Sequence, residues 1–128
     1  MKLILVVDNE AYIREVAQIC LETVGGWQVI TAHSGQEGLE LAAEHQPHAI
    51  LLDVMMPHMD GLETFKQLQA DPKTQSIPVI LLTAKMQATD RLRYTGLGIA
   101  ATIAKPFDPL ELPTQIAQIL GWEDSGNA

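Results

Sequence analysis

Three short apolar runs punctuate the chain: Leu3–Val7, residues 49–52 (Ala-Ile-Leu-Leu) and residues 79–82 (Val-Ile-Leu-Leu). None alternates apolar with polar positions, and all are rich in branched side chains. Each therefore reads as a strand buried on both faces, the pattern of a parallel sheet. Gln28–Ala32 and residues 102–104 are weaker candidates of the same kind. Between the runs the period becomes helical. Ile13, Val16, Ala17, Cys20, Leu21 and Val24 fall on one stripe, which Gly25-Gly26 terminates. Ser34-Gly35-Gln36-Glu37 has capping-box spacing and predicts a helix running to about His45, with Pro47 beyond it. A third helix is predicted from Gly61 to about Ala70, ended by Asp71-Pro72-Lys73, and a fourth over 87–95, closed by Gly96 and Gly98. Asp108-Pro109-Leu110-Glu111 offers an N-cap, a proline at the first helical position and an acid at N3. The last helix is accordingly predicted to start at Pro109 and to bury Leu112, Ile116, Ile119 and Leu120, with Pro113 tolerated only because it comes so early.

Strand and helix thus alternate five times along the sequence. That order predicts an α/β fold with a parallel sheet, right-handed crossovers and helices on both faces. The expected domain covers residues 1–121, with a polar tail at 122–128. Hydrophobic residues make up 47% and charged residues 19% of the 128, which favours a packed core over disorder. The net charge of −8, with only 8 Lys and Arg, argues against a nucleic-acid or anionic-membrane partner, since a basic face is the usual footprint of either. By itself an acidic surface signifies no more than solubility. Cys20 is the only cysteine, so no intrachain disulfide can form, and it reads as a small buried apolar residue. Leu3–Val7 is closed by Asp8 and is shorter than the roughly 7–15 residues of a secretory apolar segment. No other run approaches the ~20 apolar residues of a membrane span, so a cytoplasmic location is expected.

Open sheets of this type bind ligands beyond the carboxyl ends of their strands. The first run is followed by Asp8-Asn9-Glu10, the third by Asp53, the fourth by Thr83 and the fifth by Lys105-Pro106. Any one of these, taken alone, reads as a turn residue or a helix cap. Together at one end of one sheet they describe a particular chemistry. Crowded carboxylates repel one another, and a divalent cation with oxygen ligands relieves the repulsion. Mg²⁺ suits the set because it takes one or two carboxylates and completes its shell with phosphate oxygens and water. One carboxylate can then attack phosphorus, while Lys105 and the Thr83 hydroxyl meet the charge on the phosphoryl oxygens.

Four segments, in this order, resemble the receiver domain of bacterial two-component response regulators, and in particular chemotaxis-type single-domain receivers. They are Leu5-Val6-Val7-Asp8-Asn9-Glu10, Leu52-Asp53-Val54-Met55-Met56-Pro57-His58-Met59-Asp60-Gly61, Ile77-Pro78-Val79-Ile80-Leu81-Leu82-Thr83-Ala84 and Ala104-Lys105-Pro106-Phe107. The resemblance extends from Lys2 to Leu120 and implies a flavodoxin-like doubly wound (βα)5 fold with strand order 2-1-3-4-5. It implies that Asp53 accepts a phosphoryl group from a phosphohistidine on a sensor histidine kinase or phosphotransfer protein. Mg²⁺ would be held by Asp8, Asn9, Asp53 and the backbone carbonyl of Met55, with Thr83 and Lys105 on the phosphoryl group and a cis Lys105–Pro106 bond. Lys85 would modulate the lifetime of the phosphate. Output would pass by contact to a downstream protein target, from a monomer or weak dimer. Such a chain promotes its own phosphorylation and dephosphorylation without being a dedicated enzyme.

Two positions depart from the family pattern. The family usually has two adjacent acids after the first strand, the second a direct metal ligand, and here that position is Asn9. An amide oxygen coordinates without charge, so a reduced Mg²⁺ affinity is expected. Glu10 is a candidate to compensate, set against its reading as a first-turn acid beside a helix N-terminus. Thr102 stands where the family often has an aromatic residue that swings inward with the hydroxyl loop, and it is too small to repeat that motion. His33, His45, His48 and His58 show no metal-ligand spacing, and Met55, Met56 and Met59 read as packing or loop residues. Trp27 and Trp122 read as packing residues at a strand end and a helix end. The alternative function is a pseudo-receiver, a protein-binding module that works without phosphorylation because Asn9 cripples the metal site. Asp8, Asp53, Thr83 and Lys105 count against it. An aspartyl-phosphate hydrolase would need an acid where Met55 stands, and a flavin-binding domain would need a phosphate loop after the first strand.

Overall fold

The computed structural model describes residues 2–83 and 98–122. The predicted fourth helix, Lys85 and residues 123–128 of the tail lie outside the described residues. The elements are β1 (Leu3–Val7), α1 (Ala11–Thr23), β2 (Gln28–Ala32), α2 (Gly35–His45), β3 (Ala49–Asp53), α3 (Gly61–Ala70), β4 (Val79–Thr83), β5 (Ala101–Ala104) and α4 (Leu112–Leu120). All neighbouring strands pair parallel, in the order β2-β1-β3-β4-β5. This is the expected doubly wound sheet.

The central strands show why unbroken apolar runs become strands here. Every residue of β3 and of β4 is buried, because each face of the sheet carries its own helical layer. Ile4, Val6, Leu51, Ile80 and Leu82 pack on one side against Ala17, Cys20 and Leu21 of α1 and Leu112, Ile116 and Ala117 of α4. Leu5, Val7, Ile50, Leu52, Val79 and Leu81 pack on the other against Ala42 of α2 and Phe65 and Leu68 of α3. Alternation along each strand sends successive residues into the two cores. At the amino ends of the strands, Trp27 and Trp122 meet edge to face with centroids 5.3 Å apart, and the Lys2 ammonium sits 4.8 Å from the Trp122 ring. Among the described residues no helix is long and apolar enough to cross a membrane.

Local signals were met with small corrections. Ser34 caps α2 by accepting from Glu37 N, but Glu37 Oε1 reaches back to His33 N at 2.7 Å, one residue beyond the reciprocal partner expected. Val24, placed on the buried stripe of α1, lies past its end and is exposed. The last helix starts at Leu112 instead of Pro109, and Ile119 and Leu120 are only half-buried. The N-cap is Glu111 and not Asp108, whose Oδ1 accepts from Leu110 N and whose carbonyl accepts from both Glu111 N and Leu112 N, all at 3.0 Å, closing the turn ahead of the helix. Pro113 has no N–H to give the Pro109 carbonyl, so residues 109–111 remain a turn and the regular ladder begins after them.

Candidate functional site

Register decides which strand ends face one another. Val7 pairs with Leu52, Asp53 with Leu82 and Thr83 with Ala104, so the residues that close β1, β3, β4 and β5 emerge at nearly the same level. The ladder also continues one rung past the strands. Asp8 N donates to Ala32 O at 3.1 Å, Val54 N to Leu82 O at 3.1 Å and Lys105 N to Thr83 O at 2.7 Å. Asp8, Asp53 and Thr83 are therefore fixed by main-chain bonds, and all three are buried. The Lys105–Pro106 peptide is cis, as expected.

Lys105 brings the acids together. Its Nζ lies 2.7 Å from Asp8 Oδ2, 3.3 Å from Asp53 Oδ1 and 3.5 Å from Glu10 Oε1. The contact with Asp8 is one of charge and not a well-directed hydrogen bond, since Asp8 Oδ2 has no hydrogen-bond partner among the described residues. The other Asp8 oxygen, Oδ1, accepts from Glu10 N at 2.8 Å, and Asp53 Oδ1 accepts from Met55 N at 3.2 Å. Burial pushes the Asp53 carboxyl up to about 6, assisted by the charge of Asp8 and opposed by Lys105 and the Met55 N–H. Lys105 is held above its ordinary value: burial works against the ammonium, but its contacts with Asp8 and Asp53 together outweigh burial.

The loop after Asp53 turns back on itself within a few residues. Gly61 N donates to Val54 O at 2.9 Å, and a Cβ at Gly61 would stand 2.4 Å from the Asp53 carbonyl oxygen. Only glycine permits α3 to start that close to the end of β3. In the loop, Met59 N donates to Pro57 O at 2.8 Å across His58, whose φ of 68° lies in the left-handed region. Asp60 then caps α3 by accepting from Glu63 N.

The expected residues are gathered unevenly. Asp8, Asp53 and Lys105 are in direct contact, and Thr83 is buried beside them with an Oγ1 that has no partner among the described residues. Asn9 is exposed at a bend, and the Met55 side chain is also exposed. Glu10 joins the cluster: one oxygen each from Asp8, Glu10 and Asp53 lie within 4.8 Å of one another. Arg14 was not singled out by the sequence, yet its Nη1 donates to the Asp8 carbonyl at 2.7 Å. Its spacing four residues after Glu10, on the same side of α1, was the available signal. The donor set fits a hard divalent cation: carboxylate oxygens crowd together, and a buried one among them lacks a directed bond.

Comparison with known proteins decides the lineage. The pattern of the response regulator receiver domain matches residues 4–117. The chain belongs to this family. Receiver domains are signalling domains, not dedicated enzymes, and they bind Mg²⁺ at an acidic pocket of the kind described here. The chain is 34% identical over 97% of its length to the response regulator Rre1 of Synechocystis sp., of which it covers 54%. It spans about half the length of the curated relatives it matches. Among solved structures it resembles the N-terminal domain of a response regulator receiver protein from Methanoculleus marisnigri at 40% identity and a TM-score of 0.77, covering 94% of this chain and 97% of that one. It also resembles the chemotaxis protein CheY4 of Vibrio cholerae at 28% identity and a TM-score of 0.86, covering 93% and 98%.

Proposed function

We propose that Asp53 is the phosphoacceptor of this receiver. The observation that carries this reading is the placement of its carboxylate, 2% exposed at the end of β3, with Oδ1 3.3 Å from Lys105 Nζ and beside the Asp8 carboxylate. In the transfer, an Asp53 oxygen attacks the phosphorus of a phosphohistidine, the P–N bond breaks, and the histidine leaves with its electron pair. The donor is a sensor histidine kinase or a phosphotransfer protein. Asp8, Asp53 and the Met55 carbonyl would hold Mg²⁺, which supplies positive charge to the incoming phosphoryl oxygens. Lys105 stabilises the same charge from the β5 side, and the Thr83 hydroxyl, buried without a partner, is a donor available to a phosphoryl oxygen. With its carboxyl at about 6, Asp53 is mostly ionised at neutral pH and can act as the nucleophile.

The phosphorylated form gains roughly two negative charges inside a buried site, enough to rearrange the surrounding surface and change which protein binds it. Output is by protein–protein contact. The pseudo-receiver reading is not favoured, because Asp8, Asp53 and Lys105 meet and Thr83 lies beside them. Incubation with Mg²⁺ and a small phosphodonor, followed by intact mass measurement, tests the assignment. The wild type should gain one phosphoryl group and Asp53→Ala none. An equal gain in the variant, or no gain in either, would sink it.

A further inference from the structure

Glu10 is the N-cap residue of α1, yet its side chain caps nothing. It accepts no bond from the first turn, and no other acid stands there to serve the helix N-terminus. Its carboxylate turns away from the helix toward Lys105, 3.5 Å from Nζ, and into reach of the Asp8 and Asp53 oxygens. The bond from Glu10 N to Asp8 Oδ1 fixes the backbone from which it reaches. A second observation stands at the same place. Asp8, wholly buried, has an Oδ2 that takes no directed hydrogen bond among the described residues although the Lys105 ammonium lies 2.7 Å from it, and the buried Thr83 Oγ1 has no partner there at all. Buried polar atoms are ordinarily satisfied, so these point to a group that the protein chain does not itself provide.

We propose that Glu10, in place of Asn9, supplies the third protein carboxylate to a divalent cation bound beside Asp8 and Asp53. The inference rests on the receiver reading above and changes its ligand set. The resemblance assigns the position after Asp8, but Asn9 is exposed and brings no charge, whereas Glu10 brings a full charge on an arm one methylene longer than aspartate's. Lys105 alone cannot neutralise three carboxylates. A cation arriving among them takes over part of its task and gives the Glu10 carboxylate a partner stronger than the 3.5 Å contact it now makes. Because Glu10 is 59% exposed, its arm can adjust to the radius of the ion, so the site should accept Mn²⁺ as well as Mg²⁺.

Calorimetric titration of the purified chain with Mg²⁺ and with Mn²⁺ tests the proposal without reference to phosphorylation. Glu10→Gln should weaken binding of either ion by about tenfold or more, the loss expected at or near a metal shell. Glu15→Gln makes the same change of charge at an exposed position of α1 and should stay within about twofold of wild type, since a distant surface charge is screened. Asn9→Ala should lose less than Glu10→Gln. Wild-type affinity in Glu10→Gln, or a larger loss in Asn9→Ala, overturns the assignment, as does a wild type that binds neither ion. Phosphoryl uptake measured on the same samples keeps the two readings apart. Uptake at Asp53 with unweakened binding in Glu10→Gln would leave the phosphoacceptor standing and remove Glu10 from its metal site. Binding that depends on Glu10, without uptake at Asp53, would do the reverse.

Discussion

Lys105 Nζ and Asp8 Oδ2 meet at 2.7 Å although the strands that carry them are separated by β3 and β4. Three inter-strand steps amount to roughly 14 Å of sheet, so the long lysine side chain lies across the strand ends to make the contact. Its head is the one positive group among the described residues that touches Asp8, Asp53 and Glu10 together. Replacing it with Lys105→Met keeps the apolar stem and removes the charge. Breaking a buried pair in this way typically costs about 3–5 kcal/mol, because the partner is left buried and uncompensated. Urea unfolding in the presence of a chelator should show a loss of that order. Saturating Mg²⁺ should recover much of it by replacing the missing charge. An equal loss with and without Mg²⁺ would contradict the electrostatic account.

Among the described residues, Asp53 is the carboxyl whose burial makes stability depend on pH in the acid range. Its carboxyl is raised from 3.8 to about 6, so between those values the folded state binds a proton that the unfolded state has already released. Stability therefore falls as pH rises through this window, and the ionised carboxylate is a cost above it. Two pKa units correspond to about 3 kcal/mol at most. Asp53→Asn should stabilise the chain at pH 7 in chelator by up to about that amount and flatten the pH profile between roughly 4 and 6. Added Mg²⁺ should narrow the gap between the two proteins. Parallel pH profiles for wild type and variant would show that the carboxylate is not strained by its burial.

Gly61 tests whether the loop positions Asp53. An added Cβ would stand 2.4 Å from Asp53 O and 2.7 Å from Val54 Cα, both main-chain atoms that cannot step aside alone. Gly61→Ala should cost about 2–3 kcal/mol and slow phosphoryl uptake as the end of β3 shifts. In the same loop His58→Gly should act oppositely, gaining up to about 1 kcal/mol by relieving a left-handed φ while leaving uptake unchanged. Chemical denaturation and mass-monitored uptake read both effects. Unchanged stability in Gly61→Ala would mean that α3 can start farther from the sheet than it does here.

What could be read from sequence was mostly what is local or periodic. The unbroken runs in β1, β3 and β4 announced strands buried on both faces, and the capping residue Ser34 starts the helix it precedes. Asp108-Pro109 misled because a good N-cap competed with Pro113 four residues on, and the missing N–H of Pro113 decided where the ladder begins. The strand-end residues were recognisable as a set, but not their distances, which depend on strand order and register. Glu10 shows the limit most clearly. A cap residue and a site residue at that position have the same sequence neighbours, and only the direction of the side chain tells them apart.

Thr83 separates folding from function. Its Oγ1 is buried at the end of β4 with no hydrogen-bond partner among the described residues, so in the unphosphorylated protein the hydroxyl contributes nothing that valine would lose. Thr83→Val keeps the shape and removes an unmatched polar group, which should leave stability unchanged or raise it by about 1 kcal/mol. If the hydroxyl meets a phosphoryl oxygen, the same change should slow uptake at Asp53 by about tenfold or more, as losing one donor to a developing charge does. Urea melts and mass-monitored uptake on one preparation give both numbers. Opposite signs are the signature of a group kept for the phosphorylated state, whereas a parallel fall in both would make Thr83 a packing residue whose hydroxyl has no part in the chemistry.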